Sequence, residues 1–348
     1  MTYAVMGGGN TGQAIAGYLK LNGESVKLYT RDPQKAERIS TQGLELKGIY
    51  SGHVDLKAST TIDQVIAETQ FIIVSTTAIG HETIVNQIKP FLQPNQTIIF
   101  FPGYWGALEC ERILGTDLIA EKNITVAETS AMPFVSLADQ AGSVAITKVK
   151  YNVLISTLRK ENQIAPSFME RFPQLIPVES VFETSLNNSN VVIHPPITLF
   201  NAARIDASER FQFYPDGASP YSCNYVEQMD KERLEIASRL HVDLKSILSI
   251  LNEFYDSDYP TLYEALPGLF PTGLGPSTLD YRYLTEDIPF GLVPISELGK
   301  ILGVATPYTD SIISTASLLM NSDYRQVGIR FQGLTEENLR RMSMVKHI

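Results

Sequence analysis

The sequence predicts an α/β first half built on a doubly wound parallel sheet, followed by an all-α second half. Three observations carry this. Short apolar runs rich in β-branched residues alternate with helical periods up to about residue 150. A glycine-rich turn follows the first of those runs directly. Beyond that half, apolar residues recur at helical spacing.

Taken in order, residues 3–6 form a short strand and 13–21 a helix. Residues 26–29 form the second strand. Asp32-Pro33 then opens a helix, because aspartate caps free N–H groups and proline suits the first helical position. Residues 43–56 alternate among turn residues and read as a β excursion. Residues 71–75 and 97–101 are near-continuous apolar runs, the pattern of parallel strands covered on both faces. Between them, Ile84, Ile88 and Phe91 space a crossover helix, and 124–127 is a further strand. Residues 153–158 fit either type. The Asn/Ser-rich stretch 185–190 reads as a hinge, giving domains 1–184 and 185–348. Helices are then expected over 195–204, 226–240, 244–255, 295–302 and 312–320.

Composition narrows the class. At 348 residues and 44% hydrophobic, the chain can bury two cores. A formal net charge of −10, with no basic run before Arg340-Arg341, argues against nucleic-acid binding. Cys110 and Cys223 lie far apart with no CxxC spacing, so neither a disulfide scaffold nor a metal site is expected. The expected setting is the reducing cytoplasm. No signal peptide is expected at the N-terminus, and no apolar run approaches the roughly 18 residues of a membrane span.

Gly7-Gly8-Gly9-Asn10-Thr11-Gly12 satisfies G-x-G-x-x-G between a strand and a helix. Gly7 permits the tight turn, Gly9 lets a pyrophosphate approach the backbone, and Gly12 lets helix and strand pack closely. The free N–H groups of the helix start attract the anion. This is the dinucleotide-binding turn of a Rossmann domain, and the cofactor expected is NAD(P). Contacts are expected from Gly7, Gly9, Asn10, Thr11 and Gly12, with Thr30 and Arg31 at the end of the second strand. Asp32 is better explained as a helix cap than as a ribose ligand. Arg31 is placed to meet a 2′-phosphate, which favours NADP(H), with NAD(H) as the alternative.

The fold does not fix the reaction, so the second half must be read for its chemistry. Among five histidines, His347 lies at the tail, His241 in a helical stretch and His53 in the β excursion. His81 either lines the cofactor crevice or begins a helix. His194 follows Val191-Val192-Ile193 and precedes Pro195-Pro196, which restrict the backbone around it. Asn201, two helical turns on, can share its face and contact substrate. A second cluster runs from Arg282 to Gly291 and holds Glu286 and Asp287. Pro289 disfavours helix before it, so this cluster is expected on a loop. A planar arginine suits a carboxylate, and an aspartate beside a histidine fixes its tautomer. A solvated charge cluster and a core histidine are the competing readings.

Residues 191–206 (VVIHPPITLFNAARID) and 282–294 (RYLTEDIPFGLVP) resemble the two signature segments of the opine dehydrogenases, the octopine/nopaline dehydrogenase family. Thr306–Asp310 and Glu128-Thr129 also fit, and the resemblance spans nearly the whole chain. It implies a Rossmann domain followed by a helical domain of the 6-phosphogluconate dehydrogenase C-terminal-like kind. It further implies reductive joining of an amino acid to a 2-oxo acid with NAD(P)H. On that resemblance His194 is the acid/base, Asp287 its partner, and Arg282 the clamp on a substrate carboxylate, the three converging in the cleft between the domains. The run 131–137 departs from the family's pattern, which bears on the substrate pocket. A homodimer is compatible with the sequence. A ketopantoate-reductase-like enzyme would open its second domain with a lysine, and no lysine lies between Lys160 and Lys231. A non-catalytic NAD(P) sensor would need no His–Asp pair.

Overall fold

The computed structural model describes residues 1–159, 162–331 and 333–343. His347 and Lys160 lie outside them. The chain divides into two units, Met1–Thr184 and Ser185–Ile348.

Among its described residues the first unit holds twelve strands: β1 (Thr2–Met6), β2 (Ser25–Tyr29), β3 (Leu44–Gly48), β4 (Gly52–Val54), β5 (Lys57–Ser59), β6 (Phe71–Val74), β7 (Thr97–Phe100), β8 (Thr125–Thr129), β9 (Phe134–Gln140), β10 (Ser143–Val149), β11 (Val153–Thr157) and β12 (Leu175–Pro177). Eight form one sheet in the order β12-β11-β8-β7-β6-β1-β2-β5. From β8 to β5 every pairing is parallel. The central strands β1, β6 and β7 are apolar, as burial on both faces requires; Tyr3, Ala4, Val5 and Met6 are fully buried. The ambiguous residues 153–158 become β11, antiparallel to β8.

Chain order reverses at β1. The chain first runs outward through β2 and β5, then returns to β6 on the other side of β1. The crevice beyond the carboxyl ends of β1 and β6 is therefore the topological switch point, the usual place for a ligand in such a sheet.

A second sheet, in the order β4-β3-β10-β9, joins the expected β excursion to two strands that the sequence reading left unassigned. It lies against the helix Asn10–Leu21, where Gly17 admits it: a Cβ there would stand 2.7 Å from Leu46.

The second unit is helical among its described residues, apart from an isolated bridge between Gln212 and Leu274. Side-chain caps set several helix starts. Ser219 and Ser222 form a capping box ahead of Pro220–Arg239, and Ser246 caps Ile247–Tyr255. Pro307–Leu319 is capped from another helix: Glu232 accepts from the N–H groups of Tyr308 (2.8 Å) and Thr309 (3.0 Å). No described helix is long and apolar enough to cross a membrane.

Three expectations are corrected. The helix expected from residue 195 begins six residues earlier, as Ser189–Phe200 capped by Asn188, and Asn187, Asn188 and Ser189 are buried. Residues 282–291 are not a loop: Arg282–Thr285 and Ile288–Leu292 are helical, joined by a turn at Glu286 and Asp287, and Pro289 sits at the start of the π-helical turn, where its missing N–H is not needed. His241 lies just past its helix, with φ 57°.

A Cβ on Gly12 would stand 1.7 Å from the carbonyl oxygen of Gly7. Gly12→Ala is therefore expected to destabilise the protein by about 3 kcal/mol, the upper end of overpacking. Denaturant unfolding measures this, and an unchanged midpoint would contradict the close packing described.

Candidate active site

The glycine turn connects β1 to the helix Asn10–Leu21. Gly7 has φ +130°, a conformation side chains rarely adopt, and its N–H donates to Tyr29 O at the end of β2. A Cβ on Gly9 would meet nothing within 4 Å, so the space over this residue is open. Gly9 supplies no side-chain cap, and the first helical turn has no acidic residue. The N–H groups of Asn10, Thr11 and Gly12 point beyond the helix start, as first-turn donors do. Their side chains are engaged otherwise: Asn10 Oδ1 accepts from Ala138 N (3.2 Å), and Thr11 Oγ1 donates to Ser75 O (3.4 Å). An anion would meet backbone donors and the helix dipole here.

At the end of β2, Thr30 is buried and its Oγ1 accepts from Asp32 N. Asp32 caps the next helix, its Oδ1 accepting from Gln34 N (2.9 Å) and Lys35 N (3.1 Å), as expected. Arg31 is exposed. The sequence reading missed Lys35, whose ammonium donates to Gly8 O (3.2 Å) and so stands beside the glycine turn. Its signal was its place in the first turn of the helix that Asp32 opens.

In the second unit, His194 lies inside the helix Ser189–Phe200. Pro195 and Pro196 follow it within the helix and remove the donors that the carbonyls of Val191 and Val192 would ordinarily receive. His194 Nδ1 stands 2.8 Å from Asp287 Oδ2. The histidine side chain is 8% exposed and the aspartate fully buried. Asp287 sits between the turn Arg282–Thr285 and the π-helical turn Ile288–Leu292. This turn packs on the histidine's helix through Gly291, where a Cβ would be 2.3 Å from Val191 Cγ1.

Arg282 is on the same short segment. Its side chain is 40% exposed, its Nε lies 3.5 Å from Glu286 Oε2, and its guanidinium lies 5.9 Å from the Tyr283 ring. Tyr283 stacks on the His194 ring, with centroids 3.9 Å apart and planes 29° apart. Phe213 approaches the same imidazole edge-on at 6.2 Å.

Asn201 follows the end of the histidine's helix, and its amide is engaged within the fold. Its Nδ2 donates to Ile197 O (2.8 Å) and Gly217 O (2.9 Å), and its Oδ1 accepts from Arg204. Both amide hydrogens are spent inside the fold, which argues against the expected substrate contact. His81 begins the helix His81–Ile88 and packs on Phe100. Burial pushes its imidazole down to about 3, against an opposing hydrogen bond with the Thr76 backbone. It therefore stays neutral across the physiological range. Glu128, at the end of β8, is fully buried; it accepts from Ala107 N (3.0 Å) and Thr184 Oγ1 (2.7 Å).

Residues 177–320 match the family described as NAD/NADP octopine/nopaline dehydrogenase, alpha-helical domain. Residues 3–103, which hold the glycine turn, match ketopantoate reductase PanE/ApbA. An opine dehydrogenase of Arthrobacter sp. (strain 1C) is 35% identical over 97% of this chain and 98% of its own. A vitopine synthase of Allorhizobium ampelinum is 24% identical over 93% of this chain and 92% of its own. The fold is that of a solved octopine dehydrogenase, described in complex with NADH and agmatine, with TM-score 0.80, 19% identity, and coverage of 100% of this chain and 99% of the other. A yersinopine dehydrogenase structure with NADP+ bound has TM-score 0.73 at 14% identity, covering 98% of this chain and 97% of its own. The chain belongs to the opine dehydrogenase family. It is an NAD(P)-dependent oxidoreductase of the CH–NH type, and it joins an amine to a 2-oxo acid by reductive condensation.

Gly291→Ala must push the π-helical turn away from Val191. The expected result is a loss of about 1–3 kcal/mol and a larger fractional loss in kcat than in cofactor affinity, because Asp287 moves with that turn. Unfolding curves and cofactor titration together check it; wild-type kcat in a folded variant would refute the coupling.

Proposed function

We propose that His194 is the acid/base of the condensation, that Asp287 orients it, and that Arg282 clamps the carboxylate of the substrate. The 2-oxo acid is of the pyruvate type and the amine is an amino acid. The observation that carries this reading is the 2.8 Å contact between His194 Nδ1 and a fully buried Asp287. A carboxylate accepting from Nδ1–H leaves Nε2 as the nitrogen that exchanges a proton with substrate. Attack of the amine on the oxo carbon gives a carbinolamine. A proton from His194 Nε2 then lets its hydroxyl leave as water, and the C=N bond forms. When bound, NAD(P)H supplies the hydride that reduces that bond's carbon. Asp287 stabilises the imidazolium until it gives up this proton, and the planar Arg282 fork orients the acid for attack.

The cofactor fits the glycine turn. The open space over Gly9 accommodates a pyrophosphate, and the first-turn N–H groups of Asn10, Thr11 and Gly12 supply donors. Gly7 shapes the turn. Thr30 and Arg31 would meet the adenosine ribose. We favour NADP(H): Asp32 is committed to its helix, while Arg31 and Lys35 put two cations near the end of β2. Two free, buried cysteines accord with a reducing compartment, the cytoplasm.

Two sets of measurements test this. In the first, NAD(P)H oxidation is followed with amino acid and 2-oxo acid pairs, and turnover should require both partners. His194→Ala should lower kcat by roughly 10²–10⁴-fold with cofactor affinity intact. Asp287→Asn should do so less severely, and Arg282→Lys should mainly raise KM for the acid. A His194→Ala enzyme with wild-type kcat overturns the assignment. In the second, Gly9→Val should abolish cofactor binding without unfolding the protein, since its side chain enters open space. Arg31→Ala should weaken NADPH and spare NADH. A wild-type enzyme with the higher kcat/KM for NADH would refute the preference.

A further inference from the structure

The geometry points to Tyr283 as a positioning residue for His194, holding the imidazole by face-to-face stacking and favouring its protonated form. The inference rests on the reading of His194 as the acid/base. Asp287 fixes the imidazole at a single nitrogen, and a ring held there alone can still swing about that contact. Tyr283 lies over its face at 3.9 Å, and Phe213 meets its edge, so the swing is blocked on two further sides. Tyr283 adjoins Arg282 in sequence, so one short turn carries both the clamp and the brace.

The charge environment gives the stacking a second consequence. Burial pushes the Tyr283 phenol up to about 12, so it presents a neutral ring at working pH. The negative face of a neutral aromatic ring attracts a cation. The same segment carries Asp287, Arg282 and Glu286, and the last two pair with each other. Tyr214, which interacts electrostatically with Tyr283 and Asp287, stays neutral, its phenol raised by burial. On the helix Pro220–Arg239 packed alongside, Asp230 and Arg233 bind each other and Glu232 caps Pro307–Leu319. The π face therefore acts with Asp287 to raise the imidazole's proton affinity, and its removal lowers it.

The test is a ¹⁵N NMR titration of the histidine side chains in the full-length enzyme, with His194 assigned by loss of its signal in His194→Asn. Tyr283→Leu should lower the His194 midpoint by roughly half a unit to one unit. The alkaline limb of the kcat profile should move to lower pH by the same amount, because the protonated imidazole is the acid. Tyr283→Phe should restore both. Phenylalanines of increasing ring fluorination at 283 keep the shape and weaken the negative face, so the midpoint should fall stepwise even if the leucine variant does not fold. A midpoint unmoved by fluorination overturns the electrostatic role. A Tyr283→Leu enzyme with wild-type kcat and profile overturns the positioning role. If His194→Asn itself keeps full kcat, the acid/base reading fails instead.

Discussion

Asp287 is a carboxylate with no solvent exposure, and the second unit is organised around satisfying it. A buried ion left unpaired costs several kcal/mol, so its partner must be delivered with good geometry. His194 is that partner, 93 residues earlier in the chain. Bringing the two to 2.8 Å requires close approach of two helical segments. Gly291 supplies the approach on one side, since any side chain there would run into Val191. The π-helical turn supplies the orientation, because an extra residue per turn shifts which side chains share a face. Two prolines in the facing helix remove intrahelical hydrogen bonds beside the histidine. Each device costs local stability, and they accumulate within a few residues of one polar contact.

The first unit meets a different constraint. A parallel sheet covered on both faces leaves its reactive surface only at strand ends, where loops and helix starts gather. At β1 the glycine turn keeps side chains out of the way, and the first-turn N–H groups are the chemistry offered. The neighbouring loop ends are closed by side chains instead. Asp32 caps the helix after β2, and Glu128 ties the end of β8 to Ala107 and Thr184. The stretch 131–137 leads from the end of β8 into β9 of the second sheet.

Much of this was legible in the sequence. The parallel strands announced themselves through unbroken apolar runs, since burial on both faces leaves no alternation to blur. The glycine turn was readable because the backbone conformation at Gly7 and the close packing at Gly12 leave no room for a side chain. His194, Asp287 and Arg282 were singled out from residue type and family resemblance, and Asp32 from its place before a proline. What sequence could not decide was set by contacts distant along the chain. Residues 185–190 are polar yet buried, because their polarity serves helix starts rather than solvent. Arg282–Thr285 and Ile288–Leu292 are helical despite Pro289, because the proline falls at the start of a turn. Asn201 shares a helical period with His194, but tertiary contacts with Gly217 and Arg204 claim its amide. β9 and β10 gain their identity only from pairing with β3 and with each other. Local propensity and periodicity fix which segments become strands or helices. Which buried polar group finds which partner is fixed only by three-dimensional packing, because the energy of that choice lies in desolvation, a property of the surroundings and not of the residue.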